Sequence, residues 1–354
     1  MKGEIAQGMR TFVSDIRGPL ISVVLSILTI IVLFSALGLP VGEALAQFLV
    51  QSLSDGYGLS ELALKASPIA ICGLGLLVCF KAGVWNIGAE GQYVLGAITG
   101  SWLALTIGDA SLPFSALWVI LAGALGGAAW AAVAAGLKRY FEASEILTTI
   151  MLNYIAINIL MFSVKGPLKD PGGFNFPESA IFSESVLMLR FHDDYRINVF
   201  ILFAPLLAVF VGFFLYRTRW GFELNLVGSN RPVAENAGVS VKNIQLLSLI
   251  FAGAMAGVAG AAETIGPVEQ LIPQLAVGYG YTAIICVYLG RKNPIGILLA
   301  SLVMGVIYVG SENLQIEYGL SNAISYLFQG LILFYLLLSD YLVKRIETVK
   351  MYVT

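Results

Sequence analysis

Ten stretches of this chain are apolar for long enough, or nearly long enough, to cross a lipid bilayer, and they leave room for few other folds. A helix needs about 20 apolar residues to cross roughly 30 Å of hydrocarbon. The candidate spans lie at approximately 19–37, 67–80, 88–107, 114–137, 146–164, 197–216, 244–265, 276–290, 295–311 and 323–340. Within lipid each backbone N–H and C=O needs a partner inside the chain, so such runs are expected to be helical. The composition agrees: 58% of the 354 residues are hydrophobic and 12% charged, against about 25% charged in a soluble domain. The expectation is an all-α polytopic membrane protein, a single transmembrane domain over residues 1–354 with about ten helices. The polar residues 1–18 precede the first run, and no small-residue cleavage site follows it, so that run reads as a retained span and not a signal peptide.

Basic residues set the orientation. With the N-terminus in the cytoplasm, the inner segments carry fifteen Lys and Arg and the outer ones five, namely Lys65, Lys165, Lys169, Arg190 and Arg196. Cytoplasmic segments carry such an excess, so both termini are expected inside, in a multi-pass protein. A net charge of −2 without a basic stripe argues against nucleic acid as a partner. Cys72, Cys79 and Cys286 all sit inside apolar runs, and the one histidine, His192, is in a polar stretch. No metal site is indicated, and no HExxH, GxSxG or P-loop lysine motif occurs. Nothing here suggests catalysis or a nucleotide bound by this chain.

Polar residues inside or beside spans mark where a membrane protein does its work. The run Ser67–Phe80 is short, contains Gly73 and Gly75, and leads into Trp85-Asn86-Ile87-Gly88-Ala89-Glu90-Gly91-Gln92. Asn86 could cap the next helix, with Glu90 in its first turns at the positive dipole end. Equally, the backbone could break here at depth and line a polar path. The fifth span carries Thr149 and Asn153 four apart, on one face, for helix–helix hydrogen bonds or for the same path. The eighth span is again short and contains Gly278 and Gly280, and short glycine-broken spans in two halves point to a transport site. In the seventh span Gly253 and Gly257, with Ala256 and Gly260, offer a close-packing face, while Glu263 is expected near its wet outer end. Residues 38–66 read as an interfacial helix or a plain loop.

Two polar segments are longer than a turn requires. Residues 165–196, outside, hold three prolines and Gly172-Gly173, and either pack over helix ends or dock a partner. Residues 216–243, inside, occupy 28 positions, with Arg217, Arg219, Arg231 and Lys242 against Glu223 and Glu235. Connections between helices need only a few residues, so this segment suggests a surface for a soluble partner.

FKAGVWNIGAEGQYVLGA, Phe80 to Ala97, resembles a signature of bacterial ABC-importer permeases for nucleosides and simple sugars. TRWGFELNLVGSNRPVAENAGV, Thr218 to Val239, resembles the cytoplasmic coupling loop of that superfamily, and EILTTIMLNYI from Glu145 looks like its nucleoside branch. The resemblance implies an ATP-driven importer of a bacterial plasma (inner) membrane, in which a cytoplasmic ABC ATPase binds ATP and Mg, a second permease subunit pairs with this one, and an extracytoplasmic binding protein delivers the solute. It places a coupling helix within Asn230 to Gly238, with Arg219, Gly221, Asn230, Arg231, Glu235, Asn236 and Gly238 as the ATPase-coupling residues. The expected path residues are Trp85, Asn86, Glu90, Gln92 and Asn153, because Asn, Gln and Trp together offer hydrogen bonds for ribose and a face for a base. A heterodimeric pair of permeases is expected, with a homodimer as the alternative. The alternatives are a sugar or branched-chain amino acid permease of the same superfamily, and an ion-coupled secondary transporter with Glu90 as its coupling group.

Overall fold

In the computed structural model, residues 2–353 are described apart from 109, 111, 193, 194 and 322; side chains are described from residue 18 onward, except at 340 and 342–353. The architecture is helical, and among the described residues the only strand-like pairing is an isolated bridge between Arg190 and Asn198. Helix α1 spans Lys2–Ala36. A folded-back segment follows, with α2 at Val41–Leu45, a π-turn at Ala46–Val50 and α3 at Gln51–Ser54. Neither a flat interfacial helix nor a plain loop describes it. Phe48 is buried and meets Phe34 and Phe328 edge-on at centroid distances of 6.4 and 4.8 Å, which draws the segment into the helix bundle.

Helix α4 runs from Gly56 to Lys81. The second span is therefore a full-length helix of 26 residues, not the short span expected from the apolar run. Its outer third escaped hydropathy because it holds Ser60, Glu61, Lys65 and Ser67, and each is satisfied by the protein. Glu61 pairs with Arg196 and Lys65 with Glu312, while both serines bond carbonyls of their own helix. The most apolar window of α4 is 89% buried, which makes it the enclosed centre of the bundle. Asp55 caps it by accepting the Gly58 N–H.

The next helices are α5 at Ala89–Ile107, α6 at Ser115–Phe141 and α7 at Glu145–Lys165. After the outer segment, a 3-10 turn at Val199–Leu202 enters α8, Phe203–Arg217. The inner segment folds into α9, Arg219–Ser229, and α10, Arg231–Asn236. Helix α11, Val241–Glu263, continues into a π-turn at Thr264–Val268, and α12 covers Tyr279–Leu289. Helices α13, Pro294–Tyr318, and α14, Ala323–Val353, complete the chain. Among the described residues seven helices are long and apolar enough to cross a membrane, and two shorter apolar helices lie at Pro273–Leu289 and Ala323–Ser339.

Helix α11 packs against α4, α5 and α6, and small residues allow the approach. A Cβ on Gly257 would lie 2.1 Å from the Gly123 carbonyl oxygen, and one on Gly96 would lie 2.2 Å from the Gly257 Cα. One on Gly127 would lie 2.2 Å from the Gly253 oxygen. The close-packing face read from Gly253 and Gly257 is thus real, and its partners are glycines of α5 and α6. Helices α1 and α14 pair at the periphery, joined by a 2.7 Å hydrogen bond between Thr29 and Tyr335.

The outer segment packs over helix ends. Backbone N–H groups of Ser179, Phe182 and Met188 donate to Leu271, Glu269 and Ile265 at 3.0, 2.9 and 3.0 Å, binding it to the stretch after α11. Phe174, Phe176 and Ile181 nonetheless point outward and are exposed.

Candidate functional site

The polar residues around Asn86 converge where two helices begin. Between α4 and α5 the backbone is irregular from 82 to 88, and α7 satisfies it: the Ile87 N–H donates to Thr149 Oγ1 at 3.2 Å, and Asn153 Nδ2 donates to the Ile87 carbonyl at 2.9 Å. Non-helical backbone at depth needs such protein partners. Asn86 does not cap α5; the cap position is Gly88. Asn86 Oδ1 accepts the Gly88 N–H at 2.9 Å, and its amide pairs reciprocally with Gln92 at 3.0 and 3.1 Å. Asn153 Oδ1 accepts the Gly91 N–H at 2.8 Å, and its amide also donates to the Tyr281 hydroxyl at 3.0 Å.

Helix α12 is 11 residues long, about 16 Å at 1.5 Å per residue, or about half a bilayer core. The eighth span is short as expected, because irregular chain from the π-turn to Gly278 fills its outer half. Its first turn meets the first turn of α5: a Cβ on Gly280 would lie 2.2 Å from the Glu90 nitrogen. Glu90 bridges them. Its two carboxylate oxygens accept the N–H groups of Gly278 and Gly280 at 2.8 and 2.7 Å. A carboxylate at a helix N-terminus meets unsatisfied donors and the positive dipole end. Glu90 does stand in the first turn of α5, but it is the N-terminus of α12 that it caps. The only sign of this in the sequence was the Gly278-Tyr279-Gly280 step; in the structure Gly278 stands at φ +88.

Of the five expected path residues, Asn86, Glu90, Gln92 and Asn153 are brought together but are fully buried, with their hydrogen bonds made to the protein. Trp85 stands apart and is 47% exposed. It stacks on Tyr288 at 6.1 Å and touches Phe80 at 5.5 Å, with the Lys292 ammonium over the Tyr288 ring. Tyr281 and Tyr288 are seven apart, two turns along one face of α12. Tyr326, exposed, donates to the Val277 carbonyl near the start of that face. The result is a surface stripe of Tyr326, Tyr281, Tyr288 and Trp85, of which only Trp85 was foreseen.

The inner segment is organised as two helices joined at Asn230, whose backbone is extended. Thr218 and Asn230 cap them, accepting the N–H groups of Gly221 and Val233. Gly221 lies where a Cβ would meet the Leu215 oxygen at 2.4 Å, which lets α9 turn tightly back on α8. In α10 only Ala234 is buried, while Arg231, Val233, Glu235 and Asn236 face outward, and Gly238 ends the segment at φ +79. Arg219 pairs with Glu223 and Arg231 with Glu235, each one helical turn away, so both arginines have partners within the chain. Helix α9 is pinned at its far end: a Cβ on Gly228 would lie 2.1 Å from the Lys81 oxygen, and one on Gly83 would lie 3.3 Å from the Gly228 Cα. The inner helices therefore rest on the break that carries Trp85.

At the outer end, Glu263 is not at a wet rim. It is 8% exposed, and one carboxylate oxygen has no partner among the described residues. Arg196, held by Glu61 at 2.9 and 2.5 Å, has its guanidinium pKa raised by that carboxylate.

Comparison with known proteins places this arrangement. The chain is 32% identical over 320 residues to the glucose ABC transporter permease protein TsgB13 of Haloferax volcanii, an alignment covering 86% of this chain and 83% of that protein. It is 29% identical over 314 residues to the guanosine ABC transporter permease protein NupP of Bacillus subtilis, covering 88% and 90%. It is 28% identical over 307 residues to the nucleoside ABC transporter permease protein NupB of Lactococcus lactis, covering 84% of each. No solved structure matches. Family membership brings with it an ATPase and a substrate-binding protein as partners and a place in the plasma membrane as a multi-pass subunit. The family described as branched-chain amino acid transport system, permease component, matches residues 58–337, and the chain belongs to it as an ABC transporter permease.

Proposed function

We propose that this chain is the membrane half of an ATP-driven importer that carries nucleosides inward by alternating access. The observation that carries the reading is α10, a short helix exposed at all but one position, carried on α9, which rests backbone-to-backbone on the 82–88 break. ATP binding and hydrolysis take place on a separate ATPase, which receives α10 in a surface cleft. Movement of that helix reaches Trp85 through Gly228 and Gly83. Arg231 and Glu235 act at the rim of the contact, where charges orient a partner more than they bind it. Both chain termini and the α9–α10 elbow lie on the cytoplasmic side, with ten crossings, and a second, different permease completes the channel. The extracytoplasmic binding protein docks on the outer segment, at Phe174, Phe176 and Ile181.

The aromatic stripe along α12 supports a solute with a flat base. Trp85 contacts it, whereas Asn86, Glu90, Gln92 and Asn153 form the wall that fixes the helix starts behind it. Two helix N-termini converge there, a disposition that elsewhere attracts anionic groups. Glu90 already fills that position, which favours an uncharged solute such as a nucleoside. A simple sugar is the second reading, favoured by the likeness to a glucose permease. The test is uptake into proteoliposomes holding the permease pair, ATPase and binding protein, with labelled guanosine, adenosine and glucose in parallel. ATP-dependent accumulation of a nucleoside is expected. Glucose accumulation alone would transfer the assignment to sugars, and accumulation driven by an ion gradient without ATP would overturn it.

A further inference from the structure

A cavity of about 150 Å³ lies at the outer end of the bundle, among Glu61, Lys65, Tyr93, Arg196, Glu263 and Tyr279. It is separate from the aromatic stripe, although Val277, which also lines it, accepts hydrogen bonds from Tyr308 and Tyr326. Glu61 is satisfied by Arg196, and Lys65 by Glu312 at 2.7 Å. Glu263 Oε2 and the Tyr93 hydroxyl are buried without a hydrogen-bond partner among the described residues, and both residues line this one cavity. Tyr93 is fully buried and Glu263 more than nine-tenths so. Leaving such groups unpaired is costly, so their placement around a common space calls for a ligand.

The chemistry of that ligand follows from the lining. A carboxylate oxygen only accepts and a phenol both donates and accepts, so the ligand must bring O–H or N–H donors. Lys65 and Arg196 are already paired with Glu312 and Glu61, and a neutral donor-rich group meets the two open acceptors without the cost of burying a further charge. The volume admits roughly five waters at about 30 Å³ each. That is room for one saturated ring, and less than the roughly 300 Å³ or more of a site enclosing a whole drug-sized molecule.

We propose that this cavity is a subsite for the hydroxylated ring of the solute, with Glu263 and Tyr93 as its hydrogen-bonding partners and the Tyr279 ring as one wall. The inference rests on the reading that the permease carries nucleosides or sugars, and it names the part of those molecules that is recognised at the outer mouth. Arg196, half exposed, stands at the rim, fastened to Glu61.

The test uses the purified permease in nanodiscs, with D-ribose, adenosine and adenine as probes in saturation-transfer NMR. Ribosyl protons of ribose and adenosine are expected to receive saturation. Glu263→Gln and Tyr93→Phe should each weaken the apparent affinity for ribose roughly tenfold, the loss for one hydrogen bond to a charged or buried group. The adenine signal should be equal in all three proteins. Retained detergent-free elution and ATPase association show that each variant is folded. Ribosyl signals that are absent, or equal in wild type and both variants, overturn the subsite and mean that the cavity holds water only. Uptake in proteoliposomes separates the two claims. Nucleoside import that persists unchanged in both variants removes the subsite and leaves the transport reading. A ribosyl signal that depends on Glu263, in a complex that imports neither nucleosides nor glucose, does the reverse.

Discussion

Glu90 offers the sharpest test of how the broken spans are held. Its carboxylate is the partner of two buried backbone donors, the N–H groups of Gly278 and Gly280 at 2.8 and 2.7 Å. Replacement by Ala removes both acceptors, and the start of α12 is too enclosed for water to replace them. Each buried donor left unsatisfied costs about 1–3 kcal/mol, so the pair should cost roughly 2–6 kcal/mol. Set against a total stability of roughly 5–15 kcal/mol, that is a large share. Glu90→Gln keeps one acceptor and turns an amide NH2 towards the other donor, so about half the loss is expected. Glu90→Asp, one methylene shorter, cannot reach both donors and should fall near Gln. The assay is thermal unfolding of the purified permease in one fixed detergent, scored by accessibility of the buried Cys72, Cys79 and Cys286 to a thiol probe. The expected order of midpoints is wild type, then Gln and Asp together, then Ala, with transport falling in parallel. Ala and Gln midpoints equal to wild type would refute the capping argument. Lost transport with unchanged midpoints would return Glu90 to the solute path.

Four further outcomes are expected. Gly257→Ala places a methyl 2.1 Å from the Gly123 oxygen, and overpacking of this kind costs about 1–3 kcal/mol or more; a lowered midpoint checks it, and an unchanged one contradicts the packing. Gly228→Ala should leave ATPase association intact but lower solute-stimulated ATP hydrolysis, because only the seat of α9 on the Lys81–Gly83 turn is disturbed. Arg231→Ala should change stability by no more than about 0.5 kcal/mol, since its pair with Glu235 is exposed, yet slow ATPase association in a salt-dependent manner. In single-cysteine variants on a background lacking the three native thiols, Val233→Cys should label only from the cytoplasmic side and Phe174→Cys only from outside; the opposite pattern would invert the topology.

What the sequence made legible was governed by hydropathy and glycine spacing. The long spans, the close face around Gly253 and Gly257, and a structured inner segment are all visible in it, because each depends on residues near in sequence. The missed features depend on partners far away. The outer third of α4 looked polar because Glu61 and Lys65 are neutralised by Arg196 and Glu312, 135 and 247 residues distant. Glu90 was placed in the first turns of its own helix or on the solute path, and only the fold brings it to α12. Glu263 looked solvated, whereas the outer segment packed along the residues that follow it encloses that end of α11. Of the path residues, the amides were recognised for their polarity, but polarity alone does not tell a side chain that faces solute from one that braces the backbone.

The contact of α5, α6 and α11 through bare backbone has a consequence for motion. Side chains act as compliant spacers that can change rotamer as helices slide; Gly96, Gly123, Gly127, Gly253 and Gly257 offer none. These three helices therefore behave as one stiff block, and any rotation of the subunit must be absorbed at its borders. The irregular chain at 82–88 and at 264–278 lies there, and each stretch contains a glycine in the left-handed region, Gly83 at φ +70 and Gly278 at φ +88. Both glycines are themselves held, Gly83 against Gly228 and Gly278 by Glu90 of the block, so α9 and the start of α12 are tied to the positions of these three helices.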